Sequence, residues 1–560
     1  MIFLIYFKCF LVYNHIEVII LSKLVSISLI TITCLYGLLV GLAVFISLMC
    51  GVSVLPALIG GAIVLIIQFI ISPWLMDLTT KWLYKADFNK EVPDYLKNFI
   101  NDICMKKNIK YPKIGIINDG SPNCNTYGRT KKSARIIITR GVFDLLTEDE
   151  VKAVIGHELG HVAHYDMLVM TVAQLIPIVF YGIYEACTNV SSKDDDNNYS
   201  AAIAIVAYVL YIISQYIVLW LSRTREYLAD SFSVEMTSNS NALAEALVKI
   251  GYGLTTKKEE NTEDTKDKKG KKKDVSSIKG LGIFDKNSSK TLVACSSKDG
   301  MSTTISKDSI KNAMKWEKWN YWAKWYELNS THPLISKRLE AIAKKSKEYN
   351  QEPYIIFDLK KDANYGKMFA FELLLVMLPV LAVISMAVFG ILMLANNDFQ
   401  TYKIGLCVSG ILAVLFEFIV FLRKYNKSNF KKSTVEELLG ETKVSGVTPI
   451  PCEVEGNVIG RGDPGYVFSE DFVIRDKTGI IFLDYNQPMW LINKIFAFFK
   501  AKTFIDKDII VKGWYRRSPV PYIEIYQMEM DGKIKKVYTY IFKLIGLVIG
   551  YIGFIALLFI

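Results

Sequence analysis

Seven blocks of this 560-residue chain are apolar over lengths that can cross a bilayer: residues 24–50, 54–76, 166–187, 200–221, 368–395, 403–422 and 537–560. A spanning helix needs roughly 17–25 such residues. Inside lipid, every backbone N–H and C=O must be satisfied within the segment, so these blocks are expected to be helices. Whatever else the chain forms has to fit between them. Hydrophobic residues make up 51% of the sequence and the mean hydropathy is +0.26, which excludes an ordinary soluble protein. The first 22 residues are also apolar but carry Lys8, Asn14, His15 and Glu17, and read as an interfacial helix or an extra span. They lack the small-residue cleavage site of a signal peptide.

The net charge of +11 is distributed in a way that bears on topology. Lys and Arg collect in residues 77–165 and again at Arg423, Lys424, Lys427, Lys431 and Lys432. The opposite loops hold Asp194, Asp195, Asp196 and Asp398. Basic loops stay on the cytoplasmic side, so the soluble segments after the second and fourth spans are expected there. On this reading the positive balance reports orientation, and nucleic acid is not an expected partner. Nine cysteines lie scattered with no C-x-x-C pair, which fits a reducing compartment and gives no disulfide framework.

One motif carries chemistry. Residues 157–161 read His157-Glu158-Leu159-Gly160-His161, following the apolar-periodic run Val151–Gly156. Positions i and i+4 share a helix face, so both imidazoles can reach one metal ion, and zinc accepts imidazole nitrogen. Glu158, one residue on, can take a proton from a water at that ion. Such a pattern also arises by chance on solvated helices; here three of the chain's five histidines fall within eight residues, which favours the metal. A catalytic zinc needs three protein ligands and an open position. His164 lies on the same face but two turns from His157, about 10.5 Å along the axis, so the third ligand should come from elsewhere. After the fourth span the chain reads Ser222-Arg223-Thr224-Arg225-Glu226-Tyr227-Leu228-Ala229-Asp230. Glu226 is the natural third ligand. Asp230, one turn later, can accept the free N–H of a ligating histidine. The alternative for this stretch is an ordinary juxtamembrane helix with alternating charges.

Around the motif the pattern is α+β. A helix signal opens at Pro93; Lys113–Ile117 and Arg135–Thr139 read as strands; Thr147 reads as an N-cap before three acids. An extended substrate would pair with an edge strand near 122–128 or 135–139. Residues 255–274 are nearly all Lys, Glu, Asp, Thr, Asn and Gly, and are expected to be a disordered insertion. Trp316, Trp319, Trp322 and Trp325 recur every three residues, as on an amphipathic helix packed on the soluble core or on headgroups. His332 sits in a turn before a helix. Segment 433–535 is strand-rich, with runs at 454–459, 472–474, 480–483 and 508–511, and suggests a small β-barrel of the OB-like kind. The apolar stretch Pro488–Phe499 interrupts it and reads as an element dipping into the membrane interface.

Taken together, these residues resemble the HtpX family of membrane zinc metalloproteases. The matching stretches are Val142–Asp144 through His164-Tyr165-Asp166, then Ser222–Asp230, then Ser330-Thr331-His332-Pro333 with Arg338, in the family's order and flanked by spans. The resemblance covers roughly residues 24–345. It implies a gluzincin-type fold, one Zn²⁺ held by His157, His161 and Glu226, and Glu158 as general base. It further implies that His332 and Arg338 orient or stabilise the reacting peptide, and that the role is membrane-protein quality control. Prenyl-protein endopeptidases share the zinc motif and are the nearest alternative; a non-enzymatic scaffold with a C-terminal binding module is a second.

The expected architecture is therefore a multi-span α-helical membrane protein with a cytoplasmic α+β zinc-metallopeptidase domain and a small OB-like C-terminal barrel. Its parts are a membrane hairpin over 1–76, the peptidase over 77–345, a second hairpin over 368–422, the strand-rich domain over 433–535 and a last span over 537–560. Expected partners are the lipid bilayer and membrane-protein or peptide substrates, at the cell membrane. In sealed vesicles of known orientation, an impermeant label should reach residues 194–196 from outside and 255–274 only from inside. The opposite labelling pattern would reverse the topology.

Overall fold

The computed structural model describes residues 30–46, 55–190, 198–253, 307–357, 361, 364–395, 399–427, 429–518 and 520–559. Residues 1–22, the acidic loop at 194–196, Asp398 and the insertion at 255–274 lie outside them. Two apolar helices come first, α1 (Ile30–Ile46) and α2 (Leu55–Leu83), corresponding to the expected spans 24–50 and 54–76. The soluble part begins with α3 (Asp94–Lys107), β1 (Lys113–Ile117), β2 (Cys124–Tyr127), β3 (Arg135–Thr139) and α4 (Arg140–Leu145). The motif helix α5 (Glu148–Ala163) follows, then the long pair α6 (Asp166–Val190) and α7 (Asn198–Thr237). Next come α8 (Ser240–Tyr252), α9 (Lys307–Trp319), α10 (Tyr321–Leu328) and α11 (Ile335–Ser346). A second apolar pair, α12 (Tyr365–Ala395) and α13 (Phe399–Lys424), leads into the C-terminal strands.

Five described helices are long and apolar enough to cross a membrane: α6, α7, α12, α13 and the final helix over 539–557. The apolar run over 200–221 lies in the first part of α7. Helix α7 continues unbroken to Thr237, so its last turns belong to the soluble part. Nothing between Leu221 and Asp230 stops a helix: there is no Gly and no Pro.

The small sheet has the order β1-β3-β2, with β1 parallel and β2 antiparallel to β3. Strand β3 is therefore central, and Arg135–Thr139 is not the edge strand that the sequence allowed; β2 is the edge. The other stretch that the sequence allowed as an edge strand, 122–128, is where β2 lies. Ile136 and Ile138 of β3 point into a core with Leu96 and Ile100 of α3 and Val151, Ile155 and Leu159 of α5.

The C-terminal strands are β4 (Lys431–Lys432), β5 (Ile450–Arg461), β6 (Phe472–Arg475), β7 (Ile480–Asp484), β8 (Asp508–Ser518), β9 (Val520–Met530) and β10 (Lys533–Lys536). Helix α14 (Val435–Gly440) precedes β5, α15 (Trp490–Phe499) lies between β7 and β8, and α16 (Thr539–Phe559) ends the chain. Pairing runs β5-β6-β7-β9-β8 and returns from β8 to β5, closing a five-stranded barrel in which only β7 and β9 are parallel. Strand β9 goes unseen in the sequence because Pro519 and Pro521 bracket its start.

The barrel is fused to the helices that precede it by more than its linker. One continuous core holds Val458, Ile474 and Val511 of the barrel with Val248, Trp316 and Leu339 of α8, α9 and α11. The tryptophan repeat is split between two helices: Trp316 and Trp322 are buried in this joint, and Trp325 is exposed. At the other side, Asp119 after β1 accepts from the N–H groups of Ser121 and Gly465, both at 2.9 Å, and the Ser121 hydroxyl donates to the carbonyl of Arg461 at 2.9 Å. Gly120 sits where any Cβ would run into the Ile459 carbonyl. Gly120→Ala should therefore loosen the barrel from the β1 loop and destabilise the protein by about 1–3 kcal/mol, the usual cost of overpacking. Gly440→Ala, with open space around it, should cost nothing; thermal unfolding in detergent compares the two.

Candidate metal centre

Helix α5 starts where its sequence says. The Thr147 hydroxyl accepts from the Glu150 N–H, and the Glu150 carboxylate accepts from the Thr147 N–H at 2.9 Å, a reciprocal cap. The helix then runs regularly through His157 and His161. Gly160 introduces no distortion; a Cβ there would lie 3.0 Å from the Ala229 Cα of α7. Its role is to let α5 and α7 approach closely, and Gly156 does the same opposite Ser233. The helix closes at His164, and Tyr165 takes a left-handed conformation (φ 58°) that turns the chain into α6.

Close approach brings three side chains together. His157 Nε2 and His161 Nε2 are 3.2 Å apart. Glu226 on α7 reaches both, with 3.6 Å from Oε2 to His157 Nε2 and 3.5 Å from Oε1 to His161 Nε2. Four ligands tetrahedrally placed at 2.0–2.1 Å from a zinc ion are about 3.3–3.4 Å from one another; the two ring nitrogens, and each of them with one Glu226 oxygen, are close to that spacing. The other ring nitrogens are engaged. His157 Nδ1 faces Asp230 Oδ1 at 2.9 Å, and His161 Nδ1 faces Asp166 Oδ2 at 2.7 Å. A carboxylate accepts, so each Nδ1 carries the hydrogen, and in the neutral ring each Nε2 offers a lone pair. Two lone pairs and a carboxylate converge on one point, and Glu226 Oε2 is buried without a hydrogen bond. Such a set repels itself unless a cation sits among its members, and these donors suit zinc.

The same field acts on His161 itself. Burial opposes a charge on the ring, but Asp166, Glu226 and Glu158 outweigh it and raise the pKa to about 9. His164 is the opposite case: burial pushes it down to about 4, and its ring packs edge-on against Phe232 with centroids 5.6 Å apart. It takes no part in the cluster, as helix spacing requires.

Each carboxylate is itself held. Arg338 of α11 donates from Nε to Asp230 Oδ2 at 2.8 Å and from Nη2 to Oδ1 at 2.5 Å, and its Nη1 lies 3.4 Å from Glu226 Oε2. Arg225 grips Asp166 and donates to the His164 carbonyl at 2.6 Å. His332 places Nδ1 2.9 Å from Glu226 Oε2, off the line of a hydrogen bond. Its loop is tied back to α7 by Arg223, whose Nη1 donates to the carbonyls of Glu327 and Ser330, both at 2.8 Å. Glu158 lines a cavity of about 220 Å³ beside Cys124, Asn125 and Thr126 of the edge strand β2. Leu243, Leu247, Ile250 and Ile335 form its apolar side.

Sequence reading did not find Asp166, Arg223 or Arg225. The available signal was position: Asp166 is a carboxylate at the mouth of a span, and both arginines precede Glu226 at the mouth of another. Buried charge at such a point needs a partner.

Comparison with known proteins agrees with this geometry. Residues 91–346 match the model of peptidase family M48. A protease HtpX homolog from Methanothermobacter thermautotrophicus is 36% identical over 223 residues, 40% of this chain and 83% of that protein. The chain belongs to the HtpX family of M48 peptidases. A second HtpX homolog, from Bacteroides fragilis, is 31% identical over 216 residues, 36% of this chain and 65% of the relative. Among solved structures, the crystal structure of S. mikatae Ste24p is 19% identical with a TM-score of 0.28, covering 41% of this chain and 59% of that one. As an HtpX-family member the protein is a membrane-embedded metalloendopeptidase, and the M48 family is zinc-dependent in general. The family match ends at residue 346, before α12, α13, the barrel and α16.

The Arg338–Asp230 pair is fully inside the protein. Arg338→Met removes one partner and leaves the carboxylate uncompensated, which typically costs about 3–5 kcal/mol. The purified variant should melt markedly lower than the wild type, and Arg338→Lys should recover part of the loss.

Proposed function

We propose that the protein cleaves membrane proteins or their juxtamembrane segments on the cytoplasmic side, in membrane-protein quality control. The observation that carries the reading is the convergence of His157, His161 and Glu226 on one point, a few residues from where α6 and α7 enter the apolar zone. In this reading those three residues hold a single Zn²⁺. Zinc at such a site supplies a water acidified to a pKa of roughly 7 and a Lewis acid for the peptide carbonyl.

The protein's own residues do the rest. Glu158 takes the proton of the attacking water and hands it to the departing amine. Asp230 and Asp166 hold the two imidazoles in the tautomer that presents Nε2. Arg338 fixes Asp230 and Glu226, and so orients the cluster. His332, at the cavity wall, is placed to donate to the oxyanion as charge develops. The edge of β2 beside the cavity offers backbone N–H and C=O groups to an extended peptide, and the apolar side of the cavity takes a substrate side chain. We read the barrel as OB-like on its strand order and on the helix between its third and fourth strands. Its role here is to brace α9 and α11: Arg517 of β8 lies 4.7 Å from the Trp316 ring and donates to the Ala313 carbonyl at 2.8 Å, while Glu317 accepts from the Ser336 N–H of α11 at 2.7 Å.

Three variants test the assignment. Glu158→Gln should abolish peptide cleavage yet keep its metal. Glu226→Ala should lose metal sharply, and His164→Ala should retain both metal and activity. Metal per protein by elemental analysis after mild chelation, read beside cleavage of a membrane-protein substrate, separates them. If His164→Ala loses the metal while Glu226→Ala keeps it, the ligand assignment fails.

A further inference from the structure

Helix α15 turns an apolar stripe outward. A surface helix of a soluble protein turns its apolar face to the core and its polar face to water. In α15 the buried positions are Asn493, Lys494, Phe496 and Ala497, and the outward stripe is Leu491, Ile492, Ile495 and Phe499, exposed by 56%, 46%, 50% and 70%. Positions 491, 495 and 499 are spaced i, i+4, i+8, with 492 beside them, so they form one continuous face. The inward polar groups are satisfied. Lys494 Nζ donates to Glu470 Oε2 at 2.5 Å and to the Phe468 carbonyl at 3.2 Å. Asn493 accepts from the Gln487 N–H at 2.7 Å and donates to Asn486 at 3.0 Å. The orientation is thus fixed by specific bonds.

Its place in the molecule says what covers that stripe. The turn leading into α15 is stapled to the start of the last apolar helix, α16. Gln487 donates to the Lys536 carbonyl at 3.0 Å and accepts from the Tyr538 N–H at 3.2 Å, and the Thr539 hydroxyl donates to Asn486. The loop that α15 packs on is tied to the end of another apolar helix, α2. Val467 donates to the Leu83 carbonyl at 3.3 Å, and Tyr466 lies against Tyr84 with ring centroids 5.4 Å apart. That loop reaches α15 through Phe468, which stacks on Phe498 at 5.5 Å. Both supports of α15 are therefore the points where apolar helices leave the soluble part. The exposed patch continues onto Met489, Ile534, Tyr538 and Phe542, the last two in or beside the first turn of α16. Lys500 and Lys502 follow directly after the helix, placed for lipid phosphates as basic residues are in interfacial helices.

We propose that α15 is an interfacial membrane anchor: it lies in the plane of the bilayer surface with Leu491, Ile492, Ile495 and Phe499 among the lipid headgroups and upper acyl chains. It seats the barrel on the same leaflet as the metal centre. This surface is outside the residues matched by the family model and does not rest on the peptidase mechanism.

Photocrosslinking of the full chain in phosphatidylcholine–phosphatidylglycerol vesicles tests it. Ile495→p-benzoylphenylalanine should yield a phospholipid adduct by mass spectrometry. The control position is Met105, equally apolar and 75% exposed, near Lys107, which pairs with Glu235 at the far end of α7 from the bilayer. Lipid adduct at 495 should exceed that at 105 several-fold. Equal adduct at both positions, no adduct at 495, or a crosslink at 495 to a second copy of the chain in place of lipid would each overturn the proposal.

Discussion

Helix α7 does not stop at the membrane surface, and the site depends on that. Its apolar half packs against α6, and its last turns carry Arg225, Glu226 and Asp230 of the candidate centre and Arg223, which ties down the His332 loop. A break at Leu221 would have uncoupled the carboxylates from the span. With a rigid rod of 40 residues, the position of Glu226 follows from how α7 packs on α6. The histidines approach from α5, whose own exit into α6 is a single left-handed residue, Tyr165. Both halves of the centre are thus fixed to one membrane hairpin.

The second constraint is electrostatic. Five buried charged side chains, Asp166, Arg225, Glu226, Asp230 and Arg338, are gathered around two imidazoles. Isolated, each would be prohibitively costly to desolvate; together they alternate in sign and hydrogen-bond one another. The arrangement leaves one unresolved concentration of negative charge and lone pairs, at Nε2 of both histidines and Oε2 of Glu226. The raised pKa of His161 is the same fact seen from the proton's side: whatever cation is available is drawn to that point.

Much of the centre is legible from local pattern. His157, Glu158 and His161 announce themselves by spacing, Thr147 by cap chemistry, and Glu226 with Asp230 by helical pairing. What is not legible lies across elements. Asp166 looks like the first residue of a span until its partner Arg225 is known, and the two are brought together only by packing of α6 on α7. The fold shows the same division. Runs of β-branched residues mark β1 and β3, whereas β9 is hidden by prolines. The tryptophans at 316 and 322 read as one helical stripe, yet Asn320 breaks the helix and caps the next one. Segment 433–535 reads as a separate module because composition changes there, but its core is continuous with that of α8, α9 and α11.

That shared core has a consequence for how the protein comes into being. Chain synthesis delivers His157 and His161 early and Glu226 soon after. The carbonyl of Ala313 finds its arginine only when residue 517 has been made, and the Asp119 turn finds Gly465 scarcely sooner. For much of its time on the ribosome, a growing chain carries His157, His161 and Glu226 without the walls that hold them. The part matched by the family is thus finished last, by sequence outside that match, and a truncated product would carry the motif without the full framework around it.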